Sequence, residues 1–335
     1  RKSAENLERL GQIKVSSTRL RQIVENEGRH AINCRDKKLI GPGWDASDCK
    51  TSANGPTRIM VGSDGVMVPL ITQSEKQKRR KNRRPHRRKK AKGQTAIARK
   101  RRRRTKKSKR CRGADNPYKE FKIATFYSQD HQCQHAVGTA GNHQALGRLM
   151  RREATKLLLD KADEKLSISD GAKWIRKQFQ IHLSMLDAMI LDYYHLSEHV
   201  AKAANVCFGK GGDKAEQWRT KTLSAVYEEG PAAMLVLINQ TRKTVRAKTK
   251  REELRKLEQY VAERAEMLDY PAFREQGFDI GSGPTEAFCK TLTARLKGSG
   301  MRWDSPNAEG MMALAALDQT GQWNAYWTLQ NALAA

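Results

Sequence analysis

The spacing of apolar residues changes period several times along the chain. Leu7, Leu10 and Ile13 recur at helical intervals, and Leu20, Ile23 and Val24 do so again after Ser16-Ser17. Residues 1–30 therefore predict two short helices around Gly11, the second capped by serine. The pair reads equally as part of a helix-turn-helix or as a plain helical hairpin. Residues 33–56, rich in Gly, Asp, Ser and Pro, predict a loop. The period then shortens to that of strands. Thr57–Ser63 and Val66–Ile71 flank Asp64-Gly65, a tight-turn dipeptide, and predict a hairpin. Phe121–Tyr127 predicts a third strand. Residues 143–163 return to helical spacing, with Leu146, Leu149, Met150, Leu157 and Leu158 on one face. Lys165–Ser169 and Ala188–Leu191 predict short strands ending at Asp170-Gly171 and at Asp192-Tyr-Tyr-His195.

From Leu196 to about Met267 the pattern is helical throughout. Gly230-Pro231 marks a helix start, with Pro at the first helical position. Leu254, Leu257, Val261 and Leu268 line one face of a charged helix on which Glu252 and Lys256 have i,i+4 spacing. Gly281-Ser-Gly-Pro284 opens another helix bearing Glu286, and Ser305-Pro306 opens a C-terminal helical region. Strands with interspersed helices, a long helical stretch and a return predict an α/β core with a helical insertion.

Charge adds a second layer. The 335 residues carry 65 Lys+Arg against 36 Asp+Glu, a net charge of +29. Residues 74–112 hold 23 of those cations and one of the acids, which leaves only +7 for the rest. So dense a block cannot bury surface and predicts a disordered arm for a polyanion, with Arg79, Arg80, Arg83, Arg87 and Arg101, Arg102, Arg103, Arg104 on DNA phosphates. No run of about 20 apolar residues is present, so a membrane span is not expected. Cys34, Cys49, Cys111, Cys133, Cys207 and Cys289 form no C-x-x-C pair, which predicts reduced thiols in a cytoplasmic protein. The one tight soft-ligand cluster, His131-x-Cys133-x-His135, has no evident fourth ligand and predicts a loop without metal.

Three acids occupy distinctive places: Asp64 and Asp170 at strand ends before glycine, and Glu286 in the first turn of a helix. Such positions converge on one cleft in many folds. Together the three carboxylates suit Mg²⁺, which takes a few carboxylates plus water and substrate phosphate oxygens. Singly, each is also explained by turn chemistry or by the helix dipole.

The segments resemble one family when taken in order. Val61-Gly-Ser-Asp64-Gly-Val-Met-Val-Pro69 is similar to the first catalytic motif of bacterial insertion-sequence DDE transposases of the ISKra-type group. Ile168-Ser-Asp170-Gly-Ala-Lys-Trp-Ile175 resembles their second motif, and Ile190-Leu-Asp192-Tyr-Tyr-His195-Leu-Ser-Glu-His199 the strand motif that follows. Ile280-Gly-Ser-Gly-Pro-Thr-Glu286-Ala-Phe-Cys-Lys290 resembles the segment with the final Glu, and Leu296–Trp303 its tail.

This resemblance implies an RNase H-like mixed sheet of the retroviral-integrase superfamily, with flanking helices. Its implied units are a partial DNA-binding region at 1–32, a catalytic core at 57–195 interrupted by the basic insertion 74–112, an all-helical insertion at 196–278, and the rest of the core with C-terminal helices at 279–335. Asp64, Asp170 and Glu286 become catalytic ligands of two Mg²⁺ ions, for which Mn²⁺ can substitute. Asp192 and His195 become supporting or phosphate-positioning residues, and Lys290, Arg295, Lys297, Arg302 and Trp303 contacts to DNA. The implied reaction is cleavage at transposon ends, followed by in-line attack of the freed 3′-OH on target DNA, by a homo-oligomer assembled on DNA.

Two other classes fit the same residues: a transposase-derived DNA-binding protein without activity, and a structure-selective nuclease that cuts without joining. The arm makes its own prediction. Deleting residues 76–110 should flatten the slope of DNA affinity against salt, measured by titration at several ionic strengths. An unchanged slope would mean the segment does not neutralise phosphates.

Overall fold

The computed structural model describes residues 2–78, 118–298 and 301–334. It opens with the expected helical pair, α1 (Lys2–Gly11) and α2 (Ser17–Asp36). Ser16, in extended conformation, accepts the Arg19 N–H and caps α2. Gly28 of α2 meets Gly310 backbone to backbone, at a distance that leaves no room for a side chain on either.

The 57–71 stretch departs from the sequence reading. The expected hairpin about Asp64-Gly65 is one continuous strand, β1 (Arg58–Val68). Its partner β2 (Lys119–Ser128) lies antiparallel along it, from Ile59 opposite Ser128 to Val68 opposite Lys119. A ladder of that length satisfies every backbone group that a turn at Asp64-Gly65 would release, so pairing overrides the local turn preference.

The expected loop around the His-Cys-His cluster is likewise a strand at its end, β3 (Gln134–Thr139), antiparallel to β2. His135 sits inside that strand with Nε2 3.2 Å from the Glu153 carboxylate, and both side chains are buried. Burial pushes the Glu153 carboxyl up, but His135 and Lys156 together hold it down at about 2.

Helix α3 (His143–Lys156) ends about two turns earlier than the apolar pattern suggests. Leu157 and Leu159 both enter the core, and Leu158 between them takes a left-handed conformation at φ 51 and turns outward. Then come β4 (Glu164–Ser169), α4 (Lys173–His182) and β5 (Ala188–Leu191). Strands β4 and β5 run parallel to β1, giving a mixed five-stranded sheet in the order β3-β2-β1-β4-β5.

The helical stretch resolves into α5 (Tyr193–Phe208), α6 (Asp213–Glu228), α7 (Pro231–Thr244), α8 (Lys248–Ala262) and the short α9 (Tyr270–Glu275). Glu252 of α8 pairs with Arg255 at 2.8 Å rather than with the expected Lys256, which lies 3.8 Å from Glu253. The chain closes with α10 (Gly283–Ala294), α11 (Ser305–Gln319) and α12 (Trp323–Ala334).

Strand pleating divides the core. Ile59, Val61, Ala124 and Phe126 face α3 and α4. Met60, Leu166, Ile168 and Ile190 face the helices α5 to α9. Further along that second face, Val66, Val68, Phe121 and Ile123 pack against Phe288, Cys289 and Leu292 of α10. Residues two apart on a strand share a face, so Met60, Gly62, Asp64, Val66 and Val68 form one stripe. Gly62 is its narrowest point. A Cβ there would lie 1.8 Å from Thr285 Oγ1, and Thr285 of α10 hydrogen-bonds Thr125 on β2 at 2.8 Å.

Lys76, the first cation of the basic segment, belongs to the folded body through its ion pair with Asp304. The proposed phosphate contacts Arg79, Arg80, Arg83, Arg87, Arg101, Arg102, Arg103 and Arg104 lie outside the described residues. Among the described residues no helix is long and apolar enough to cross a membrane.

The approach at Gly62 can be measured by a double-mutant cycle. Gly62→Ala should cost about 2 kcal/mol in chemical denaturation, the scale of overpacking. Adding Thr285→Ala should recover part of that loss, because the collision is with its hydroxyl. Strict additivity would show that α10 does not rest on this glycine.

Candidate active site

The sheet register places the predicted aspartates. Ser63 on β1 pairs with Ser169 on β4, and Ser169 pairs with Leu191 on β5. The next residues are Asp64, Asp170 and Asp192, at matching positions on three adjacent parallel strands, with neighbouring strands about 4.8 Å apart. The Asp192 N–H donates to Ser169 O at 2.8 Å, carrying the alignment one step past the ladder. Asp64 is thus inside a strand, and it is the partner strand β4 that ends beside it.

Glu286 lies on the helix that covers this face, exposed and within the electrostatic influence of Asp64 and Asp192. Thr285, seated over Gly62, precedes it on α10, and Cys289 one turn further on is close enough to the Asp64 carboxylate to favour its charged form. Nothing in the residue pattern singles out Cys289, Thr285 or Gly62. Their roles arise only when α10 is laid along β1.

Asp192 holds this arrangement together. It is 1% exposed. One carboxylate oxygen accepts the His195 N–H at 2.8 Å and caps α5; the other accepts the Ser282 N–H at 2.5 Å, just ahead of α10. The Tyr193 N–H donates to Ile280 O at 2.9 Å beside it. Both oxygens serve backbone donors, so in this structure Asp192 ties β5, α5 and the approach to α10 into one corner. His195 stands in a ring cluster, 5.0 Å from His199 and 6.5 Å from Tyr260 between centroids, with Nδ1 3.9 Å from Glu198.

The field at the site is one-sided. Burial pushes the Asp64 carboxyl above its ordinary range and the Asp170 charge adds to the push, while the Gly65 N–H, 2.6 Å away, and Cys289 act against it. Partial burial also raises Glu286, helped by Asp192, Asp64 and Glu198 and opposed by His195. Asp170 Oδ1 accepts the Ala172 N–H at 2.8 Å.

The predicted DNA contacts lie along and beyond α10. Lys290 is exposed one turn from Glu286, and Arg295, Lys297 and Arg302 are exposed further on. Trp303 is half-buried against the Val66–Leu292 cluster and bridges to Leu70, with Ile71 N donating to Trp303 O at 2.9 Å. Arg295, Arg302 and Trp303 line a cleft of about 840 Å³ whose opposite wall is α2, with Arg21, Leu20 and Val24.

Three carboxylates suit a hard divalent ion by donor chemistry. Among the described residues no three His, Cys, Asp or Glu side chains are already gathered to hold one.

These features define a mixed α/β protein with carboxylates from separate segments brought to the ends of parallel strands. A model of the uncharacterised protein family UPF0236 matches residues 156–328, just over half of the chain, and the chain belongs to that family. The match takes in Asp170, Asp192, His195 and Glu286, and begins after Asp64. No curated protein matches the chain.

A raised carboxyl pKa fixes the sign of a stability effect. When the folded pKa exceeds the unfolded value, stability is greatest below the unfolded value and falls as pH rises through the folded one. Asp64→Asn should therefore stabilise the fold at pH 7 by roughly 1 kcal/mol, as functional residues often do when replaced. Thermal unfolding should show the gain shrinking as pH falls through the raised folded value and gone below about 4, where the wild-type carboxyl is protonated in both states. A gain independent of pH would exclude the charge as its cause.

Proposed function

We propose that this chain is a DDE-type DNA transposase with an RNase H-like catalytic unit, acting through Asp64, Asp170 and Glu286. The observation that carries the reading is the alignment of Asp64 and Asp170 on adjacent parallel strands, with Glu286 on the helix laid along β1, from positions more than 100 residues apart, and a field that pushes the Asp64 and Glu286 carboxyls up. A half-buried carboxylate beneath a helix on an otherwise apolar stripe costs stability, and such costs gather at functional sites.

Mg²⁺ or Mn²⁺ held by these residues would activate the attacking oxygen and offset charge on the leaving one. The chain's own contribution is placement. Thr285 on Gly62 sets the height of Glu286, and Asp192 locks the loop that feeds α10. Lys290, Arg295, Lys297 and Arg302 form a cationic track leading from Glu286 along and past α10 to the cleft against α2. Phosphates bound on that track would bring a strand to the carboxylates, and Trp303 in the cleft wall offers a ring edge to an unpaired base. The +29 net charge supports a DNA partner.

The test is nicking and joining of end-containing DNA by the purified protein with Mg²⁺ or Mn²⁺. Asp64→Asn, Asp170→Asn and Glu286→Gln should each lower both steps by about a thousandfold, the several kcal/mol a metal ligand contributes to the transition state. DNA affinity should be retained in all three. Cutting without joining would point to a nuclease, and binding with neither step to a non-catalytic DNA-binding protein.

A further inference from the structure

Helix α8 ends against the turn that carries Asp170. Arg264, just past its last residue, is buried. Its Nε donates to Gly171 O at 3.1 Å and its Nη1 donates to Tyr260 O at 3.1 Å. The guanidinium lies 4.1 Å over the Tyr260 ring, and the Tyr260 hydroxyl donates to Asp170 O at 3.4 Å. His199 of α5 stacks on the same ring at 4.0 Å. Two groups that close cannot share a ring face, so Tyr260 is held between them. The carbonyls of both Asp170 and Gly171 are thus gripped from one helix end.

The grip matters because of how the turn aims its carboxylate. Gly171 is left-handed at φ +67, and a Cβ there would lie 2.6 Å from Leu191 and 3.0 Å from Arg264 Nε. That conformation presents the Ala172 N–H to Asp170 Oδ1. The direction of the carboxylate therefore depends on the turn, and the turn on Arg264 and Tyr260.

We propose that Arg264, seconded by Tyr260, is a positioning residue through which the helices between β5 and α10 hold the Asp170 carboxylate in line with Asp64. This rests on the reading of Asp170 as a catalytic acid. A competing role is purely electrostatic, and the two differ in sign. Removing a nearby positive charge should tighten binding of a divalent cation, whereas releasing the turn should weaken it.

The experiment compares the full chain with Arg264→Met, Arg264→Lys and Tyr260→Phe. Amide exchange across 168–173 reads the turn directly, without need of activity. Mn²⁺ titration followed by electron paramagnetic resonance and Mg²⁺-dependent nicking read its consequence. Arg264→Met should speed exchange at the Gly171 and Ala172 amides while the rest of β4 stays protected. It should weaken Mn²⁺ binding and slow nicking, each by about 10- to 100-fold, the usual effect of losing a group that orients a metal ligand, with DNA affinity unchanged. Millimolar methylguanidinium should restore part of the rate to Arg264→Met. Arg264→Lys, which keeps the charge without the fork, should remain slow. Tyr260→Phe removes one hydroxyl and should loosen the turn to a lesser degree, which keeps the test alive if Arg264→Met does not fold. Unchanged exchange at 171–172, or tighter Mn²⁺ binding, overturns the proposal. A loosened turn with full nicking activity overturns it as well. A wild-type protein that shows the clamp by exchange but nicks no DNA overturns the transposase reading and leaves the clamp standing.

Discussion

The close approach of α10 to β1 at Gly62 is the contact on which the rest of the site depends. An α-helix normally keeps its axis about 10 Å from a sheet because side chains on both sides fill the gap. Here one side chain is missing. Thr285 drops into the space above Gly62 and bonds Thr125 on the neighbouring strand. The next residue along the helix is then Glu286, and the next turn brings Cys289 to Asp64. A larger residue at 62 would lift α10 and separate its carboxylate from the strand it must face. The hydroxyl pair matters for the same reason: both threonines are buried, and each satisfies a polar group the other would otherwise leave stranded.

The approach has an electrostatic consequence. Covering β1 with α10 takes Asp64 partly out of water beside the charge that follows β4 at Asp170, so burial and repulsion both push its carboxyl up. Apolar neighbours at Val66 and Phe288 stabilise the covering; the Gly65 N–H and Cys289 offset only part of its electrostatic cost. Asp192 resolves the same problem differently. Following the next strand of the same sheet, it is supplied with two backbone donors, and it serves as a joint. Position on the sheet thus does not decide what an aspartate does. The donors that surround it do.

Much of the architecture is legible in the residues. Helical spacing of Leu20 and Val24 marks α2, Pro231 starts α7 where its fixed φ suits the first turn, and the aspartates that close β4 and β5 stand where the strand periods end. Two elements are not legible, for one reason. Asp64-Gly65 looks like a turn and the residues around His135 look like a loop, because local preference is all that a short window reports. Both are strands because distant partners claim their backbone: residues 119–128 for Asp64, and β2 with Glu153 for His135. The candidate acids could be found from their flanking glycines. Their partners could not, since Cys289, Thr285 and Arg264 acquire their roles only through contacts with residues far away in the chain.

The charge of the chain and the charge of its site point in opposite directions, and the fold reconciles them by distance. Cations on α10 and beyond begin one turn from Glu286 and continue toward the cleft against α2, whereas Asp64 and Asp170 stand side by side in the sheet. A polyanion drawn by the first set would meet repulsion from the second unless something positive stood between them. Arg264, the buried cation beside the Asp170 turn, gives its Nε–H to the Gly171 carbonyl and an Nη1–H to the Tyr260 carbonyl, and lies 3.6 Å from Glu263. On the proposed reading, neutralising phosphate and carboxylate together would fall to a bound ion, and the protein's part would be to hold the carboxylates still for it.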